Sequence, residues 1–357
     1  MSERRFNPAI LELARDSRRM TQSALSVAVG AAQGTISKLE NGQSASPSDD
    51  LLEKIAKALG YESSLFFESF SPRGPSLFLH RKRSSLPISD QKAIHAMIEI
   101  VRLQVQKLLR SVDIPEMRIP FLDPERLKRR PAEIAREIRM HWGIPSGPIE
   151  NLTAILESVG IIVVPFDFTS RLMDAVSVYS EREPMPPMVF LNSKAPGERI
   201  RFTAAHELGH LVMHCRQDFP GDHAEDEADA FASEFLMPAS DIRGFLGGLT
   251  LEALGSLKQS WRVSMQAILT TAEHLGRITP YKAKNLWIQM SRLGYKTREP
   301  FEIPIEEPTL IRDIIRTHTG QLGYSDAEIA KVVHLPVDAF QEVFKRETPR
   351  LRILPAS

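Results

Sequence analysis

Apolar residues recur along most of this chain at the three- and four-residue spacing of amphipathic helices. Residues 8–20 read as a first helix, with Ile10, Leu11, Ala14 and Met20 as its apolar positions. Thr21 then precedes QSALSVAVG, a short helix that Gly30 stops, and AAQGTISKLENG gives another, closed by Asn41-Gly42. Ser48 is placed to cap the next helix, whose stripe is Leu51, Leu52, Ile55, Ala56 and Leu59 and whose end is Gly60. From Ser89 to Val112 a longer pattern gathers Ile94, Met97, Ile98, Val101, Val105 and Leu108-Leu109 on one face, suited to core packing or dimerisation. GIIVVPF at 160–166 and the run from Met188 to Asn192 read as strands. An apolar helix follows in RIRFTAAHELGHLVMHC, then a second from Ala224 to Leu236, ended by Met237-Pro238, with Ala228, Phe231, Ala232 and Phe235 as its buried stripe. Residues 305–357 hold two more helical patterns, PTLIRDIIRTHTGQLG and SDAEIAKVVHLPVDAFQEVFKR. Ser325 caps the second and Leu335-Pro336 breaks it; the piece reads as a packing subdomain rather than a second DNA-touching unit.

Two short helices with a tight turn at Gly30 fit the helix-turn-helix arrangement, in which the second helix enters the major groove of DNA. Its outward face here is Gln33, Thr35, Ser37 and Lys38, with Ile36 and Leu39 turned to the core. Gln pairs in bidentate fashion with adenine, and Thr, Ser and Lys hold bases or phosphates. Gln22, opening the preceding helix, is placed to touch the DNA backbone. Thr21-Gln22, Ala28, Gly30, Ile36 to Gly42 and Ile55 to Gly60 closely resemble the Cro/repressor (XRE) type of helix-turn-helix domain over roughly residues 5–68.

Charge modifies this picture. The chain as a whole is neutral, and its first 70 residues hold 8 Lys+Arg against 9 Asp+Glu, which gives little attraction for phosphates. Residues 71–140 carry 15 Lys+Arg against 8 Asp+Glu, and 141–240 carry 6 against 15. The connector SPRGPSLFLHRKRSSLP, with His80-Arg81-Lys82-Arg83, reads equally as a segment that grips phosphates beside the reading helix and as a solvated linker. A single cysteine, Cys215, excludes an intrachain disulfide, and no apolar run reaches the length of a membrane span. The expectation is a cytoplasmic protein with no membrane partner.

The candidate chemistry lies in His206-Glu207-Leu208-Gly209-His210, an H-E-x-x-H motif on the apolar helix. Residues four apart share a helix face, so both imidazoles can converge on one zinc ion (Zn2+), with Glu207 positioned for water rather than metal. A catalytic zinc site needs a third protein ligand. His214 lies eight residues after His206, about 12 Å further along a continuous helix, and is a poor candidate. Glu225, Glu227 and Asp229 crowd the start of the next helix; Glu227, directly before Ala228, is the choice on sequence grounds. The runs FTAAHELGHLVMH and EDEADAFASEFLMP closely resemble the ImmA/IrrE family of metallopeptidases. AREIRMHWGIPSGPIENLTAILESVGIIVV upstream, and LKQSWRVSMQAILTTAEHLG and LGYKTREP downstream, extend the similarity over roughly 130–300. That resemblance implies zinc held by His206, His210 and Glu227, with Glu207 as general base. The family usually has Asn where this chain has Asp229, which leaves open whether Asp229 replaces Glu227 or supports a ligand histidine from outside.

The expected fold is mainly α with a small α+β part. It comprises a helix-turn-helix domain at 5–70, a basic linker and long helix at 71–130, a zincin-like peptidase domain at 131–300 and a helical C-terminal subdomain at 301–357. In the peptidase domain the Met188–Asn192 strand is expected beside the motif helix, pairing with an extended substrate backbone. The two resemblances together imply a homodimeric regulator that reads double-stranded DNA and cleaves itself or a helix-turn-helix repressor partner. The alternative is a non-proteolytic regulator or antitoxin whose zincin-like domain binds a partner or senses metal.

Overall fold

The computed structural model describes residues 5–44, 46–69, 86–168, 173–180, 185–216 and 221–344. Their placement falls into two compact units, one formed by Met1–Ile114, Pro165–Met173 and Thr309–Ser357, the other by Pro115–Val164 and Asp174–Pro308. The basic cluster His80–Arg83 lies outside the described residues.

The first unit opens with four short helices, α1 (Pro8–Ser17), α2 (Gln22–Val29), α3 (Gln33–Glu40) and α4 (Asp49–Leu59). Side-chain oxygens start three of them: Asn7 accepts from the Ala9 N–H, Thr21 from Ala24 and Ser48 from Leu51. Gly30 and Gly60 end α2 and α4 in the left-handed conformation, at φ +67° and +66°, where a side chain would be strained. The first helix stops at Ser17 rather than running to 20, because Arg19 turns to φ +57° and hands the chain to the Thr21 cap. Ile10, Leu11, Leu25, Ile36, Leu39, Ile55, Leu59 and Phe66 close the core.

α5 (Ile88–Leu108) packs against α1. Its burial runs around the helix, taking in Ala93, Ile94, Met97, Ile98, Ile100, Val101, Leu103 and Val105. Glu99 and Arg102 are buried too, paired at 2.6 Å. The one-sided stripe read from the sequence is therefore part of a helix buried on several sides.

In the second unit come α6 (Pro124–Leu127), α7 (Pro131–His141) and α8 (Leu152–Ser158), then β1 (Ile162–Phe166), whose last two residues are counted with the first unit, β2 (Ala175–Val178) and β3 (Met188–Asn192). The long α9 (Gly197–Met213) and α10 (Ala224–Leu236) follow, then α11 (Ala239–Ile242), α12 (Leu251–Trp261), α13 (Met265–His274) and α14 (Pro280–Arg292). The sheet order is β1-β3-β2, with β2 antiparallel to β3 in the register Val176↔Phe190. β2 and β3 pack on α9, and α10 lies between α9 and α7. The expected substrate-pairing strand, β3, is the middle strand: neighbours on both sides already use its ladder groups, so an added strand has no place on it. Among the described residues β1 and β2 are the outer strands.

Gly209 sets how closely α9 and α10 approach. A Cβ there would lie 3.2 Å from Phe231 Cδ1 and 3.3 Å from Ala228 Cα, so a larger residue would push the helices apart. Phe231, Ala232 and Phe235 fill the rest of that interface with Leu208, Leu211 and Val212.

The remaining helices, α15 (Leu310–Gly320), α16 (Asp326–Val332) and α17 (Val337–Phe344), belong to the first unit instead of forming a subdomain of their own. Ile314, Ile315, Ile329, Val333, Phe340 and Val343 join the core built by α1 to α5. His334 fastens them: its carbonyl accepts from the Glu62 N–H at 3.0 Å, its Nδ1 meets Ser64 Oγ at 2.8 Å and its Nε2 lies 3.1 Å from Glu68. Glu68 is paired in turn with Lys107 of α5, and this pairing holds its carboxyl below the usual range against the effect of burial.

The α16–α17 pair repeats the build of α2–α3 without insertion or deletion. Ser325 caps α16 as Thr21 caps α2, and His334, at φ +56°, stands where Gly30 stands. Ile329, Val333, Phe340 and Val343 are buried in the places of Leu25, Val29, Ile36 and Leu39. Among the described residues no helix is long and apolar enough to cross a membrane.

Candidate metal centre and reading face

α9 carries three imidazoles one turn apart, on His206, His210 and His214, the last at its C-cap. The Nε2 atoms of His206 and His210 face each other at 3.0 Å. A carboxylate from the start of α10 closes the triangle: Glu225 places one oxygen 3.7 Å from His206 Nε2 and the other 3.4 Å from His210 Nε2. These three side chains can bring ligand atoms within 4.8 Å of one another, which makes them a candidate metal site. Glu207, next to the first of them, is buried at 3% exposure.

The sequence choice of Glu227 for the cluster differs from this arrangement, for a geometric reason. Adjacent helical residues point about 100° apart, whereas residues three apart share a face. Ala228 is the contact point with Gly209, so the carboxylate brought to the imidazoles is Glu225, three residues before it. Glu227 turns to His214, its Oε2 lying 2.9 Å from Nε2, and the Nδ1 atoms of His214 and His210 are 3.0 Å apart. Asp229 takes neither place: its Oδ1 lies 2.7 Å from His206 Nδ1, on the side of the ring away from the cluster. Each carboxylate at 225, 227 and 229 thus meets α9 imidazoles from a different side. All stand in the first turns of α10, where the helix dipole favours negative charge. Burial holds His214 below the usual imidazole range, against the pull of Glu227.

On the first unit, α3 presents Gln33, Thr35 and Lys38 to solvent, while Ser37 is half-buried and Ile36 and Leu39 lie in the core. Gln22 is half-buried at the start of α2; its Oε1 accepts from Gln33 Nε2 at 2.8 Å, and its own Nε2 donates to Glu40 Oε2 at 2.8 Å. Glu40 is held by Arg15 of α1 through two bonds, at 2.6 and 3.0 Å. A buried ion pair therefore anchors the two glutamines. Sequence reading passed over Arg15 and Glu40; the signal for them was a charged residue, Arg15, directly after the core position Ala14.

Residues 11–66 match the family model of the helix-turn-helix, and residues 156–273 match that of the IrrE N-terminal-like domain, a peptidase family. No curated protein matches the chain. The first match runs from within α1 through α2, the Gly30 corner and α3 to the end of α4 and just beyond; the second runs from α8 through the histidine cluster to α13. The chain joins a helix-turn-helix domain, of the kind found in DNA-binding regulators, to a peptidase-family domain.

Proposed function

We propose that this chain is a cytoplasmic, DNA-binding transcription regulator whose second unit is a zinc-dependent endopeptidase, acting on itself or on a helix-turn-helix repressor partner. The observation that carries the reading is the convergence of His206, His210 and Glu225 beside the buried Glu207. Two imidazoles and one carboxylate are the donor set of a catalytic zinc site. The Nε2 atoms of His206 and His210 lie 3.0 Å apart, and Glu225 sets Oε1 3.4 Å from His210 and Oε2 3.7 Å from His206, so one atom of each residue could reach a common ion.

When bound, zinc supplies Lewis-acid chemistry for hydrolysis at neutral pH. Glu207, one residue from a ligand and shielded from bulk solvent, takes the proton of the attacking water on its carboxylate and delivers it to the leaving amine nitrogen. His206, His210 and Glu225 hold the metal, leaving a position for substrate. The substrate backbone adds to the edge strand beside α9, which is β2 in this fold, in place of the central β3. On the first unit, α3 reads base edges through Gln33 with Thr35, Ser37 and Lys38 nearby, and Gln22 contacts the backbone. A homodimer places two such units on paired half-sites.

The test is zinc content and peptide-bond cleavage of the full chain, alone and with a purified helix-turn-helix repressor, against Glu207→Gln. One zinc equivalent in both proteins, with fragments only from the wild type, supports the reading. Zinc uptake without fragments from the wild type on either substrate favours a non-proteolytic regulator or antitoxin whose second unit senses metal or binds a partner.

A further inference from the structure

We infer that His214 and Glu227 form a positioning relay that fixes the tautomer and orientation of His210; this rests on the zinc reading above. His210 turns Nε2 towards His206 and Glu225, at 3.0 and 3.4 Å, so Nε2 is the atom whose lone pair faces the cluster. A neutral imidazole that offers its Nε2 lone pair carries its proton on Nδ1. That proton points at His214 Nδ1, 3.0 Å away, which must accept it. His214 then carries its own proton on Nε2 and donates it to Glu227 Oε2 at 2.9 Å. Every hydrogen position along the chain is dictated by the next, and the series ends on a carboxylate, which needs no further partner to accept.

The same helix shows a shorter version of the device. His206 also turns Nε2 to the cluster, and its Nδ1 meets a carboxylate directly, on Asp229 at 2.7 Å. One candidate ligand is thus oriented by an acid in a single step, the other through an interposed imidazole. His214 is buried at 3% exposure, and its backbone N–H donates to the His210 carbonyl at 2.8 Å, which keeps it in helical register one turn on. This explains why a third histidine on the motif helix stays outside the cluster: one ring nitrogen faces His210 and the other faces α10.

The experiment uses the full-length chain and measures zinc affinity by competition with a chromophoric chelator at one fixed pH. The variants are His206→Ala, Glu225→Ala, His214→Leu, His214→Gln, Glu227→Ala and the double His214→Leu/Glu227→Ala. The two ligand variants lose tight zinc. His214→Leu and Glu227→Ala each weaken it about 10- to 100-fold, the range for losing an outer partner of a ligand histidine. Both cut the same chain, so the double variant is no weaker than the worse single one. His214→Gln recovers most of the loss, because its amide oxygen accepts from His210 and its amide N–H donates to Glu227. Should His214→Leu fail to fold, Glu227→Ala and His214→Gln decide, since the Glu227 side chain is 24% exposed and its truncation leaves the core intact. Wild-type affinity in Glu227→Ala, or additive losses in the double variant, overturns the relay. Zinc lost from Glu227→Ala but kept by Glu225→Ala makes Glu227 the ligand and also overturns it. A wild type that takes up no zinc overturns the metal reading, and the relay with it.

Discussion

The helix pairs α2–α3 and α9–α10 both carry their chemistry on polar side chains, but they aim them in opposite directions. In α2–α3 the polar groups Gln33, Thr35 and Lys38 end in solvent, and only the pair Arg15–Glu40 behind them is buried. In α9–α10 the imidazoles and carboxylates meet between the helices, and a close approach at Gly209 brings them within bonding distance. An outward face has to match something that arrives from outside, so it tolerates substitution structurally and is selective chemically. An inward cluster has to satisfy itself first, because a buried polar group without its partner is costly. The third pair, α16–α17, sharpens the contrast. It has the cap, corner and buried positions of α2–α3, yet where Gln33, Gly34, Thr35, Ser37 and Lys38 stand it has Val337, Asp338, Ala339, Gln341 and Glu342. Those five positions hold two carboxylates and no cation, a set unfavourable to phosphate. Among the described residues the same helical frame is present twice, with different side chains on its outer face.

Substitutions test this contrast, beginning where the effect is largest. Glu225→Ala opens the inward cluster and abolishes stoichiometric zinc in the purified chain, read by elemental analysis; full retention would show that the α9–α10 polar groups do not converge on a metal. Glu207→Gln keeps the zinc and lowers cleavage by about 10²- to 10⁴-fold, the contribution expected of a general base. Unchanged turnover would remove Glu207 from that role. On the outward face, Gln33→Ala costs about 1–3 kcal/mol of discrimination at one base position, measured by titrating matched and mismatched duplexes, with the melting temperature unchanged. Lys38→Ala, by contrast, weakens all sequences alike and flattens the salt dependence. Smallest of all, Gln341→Ala on the second copy of the frame shifts stability by no more than about 0.5 kcal/mol and leaves DNA affinity as it was. A loss of DNA affinity there would make α17 a second reader.

Local signals carried much of this. The caps at Thr21, Ser48 and Ser325, the corner at Gly30, the strand at 188–192, the strand read at 160–166 and found at 162–166, and the extent of α10 all follow from spacing and punctuation over a few residues. What local signals leave open depends on three-dimensional neighbours. Adjacency to Ala228 in sequence points to Glu227, whereas the carboxylate that lies with His206 and His210 is Glu225, three residues before Ala228. The four-residue β2 is too short for its pattern to stand out. The central place of β3, the enclosure of α5 and the docking of α15–α17 on the first core are decided by pairings between distant segments, which periodicity does not encode.

The division of the chain gives the docking at His334 a further meaning. Both units are discontinuous: the chain leaves the first after Ile114, returns to it at Pro165–Met173, and rejoins it for good at Thr309, so the second unit is inserted in two pieces, the longer being Asp174–Pro308. A peptide bond broken anywhere between Asp174 and Pro308 would sever α15–α17 from the reading helices covalently while leaving them seated in the same core, because that stretch lies wholly inside the insertion. The reader would then be a two-piece assembly whose halves are held by the shared core and the polar contacts of His334 alone, and whose dissociation would depend on concentration. Hydrolysis in one unit would in this way become a change in the lifetime of the other.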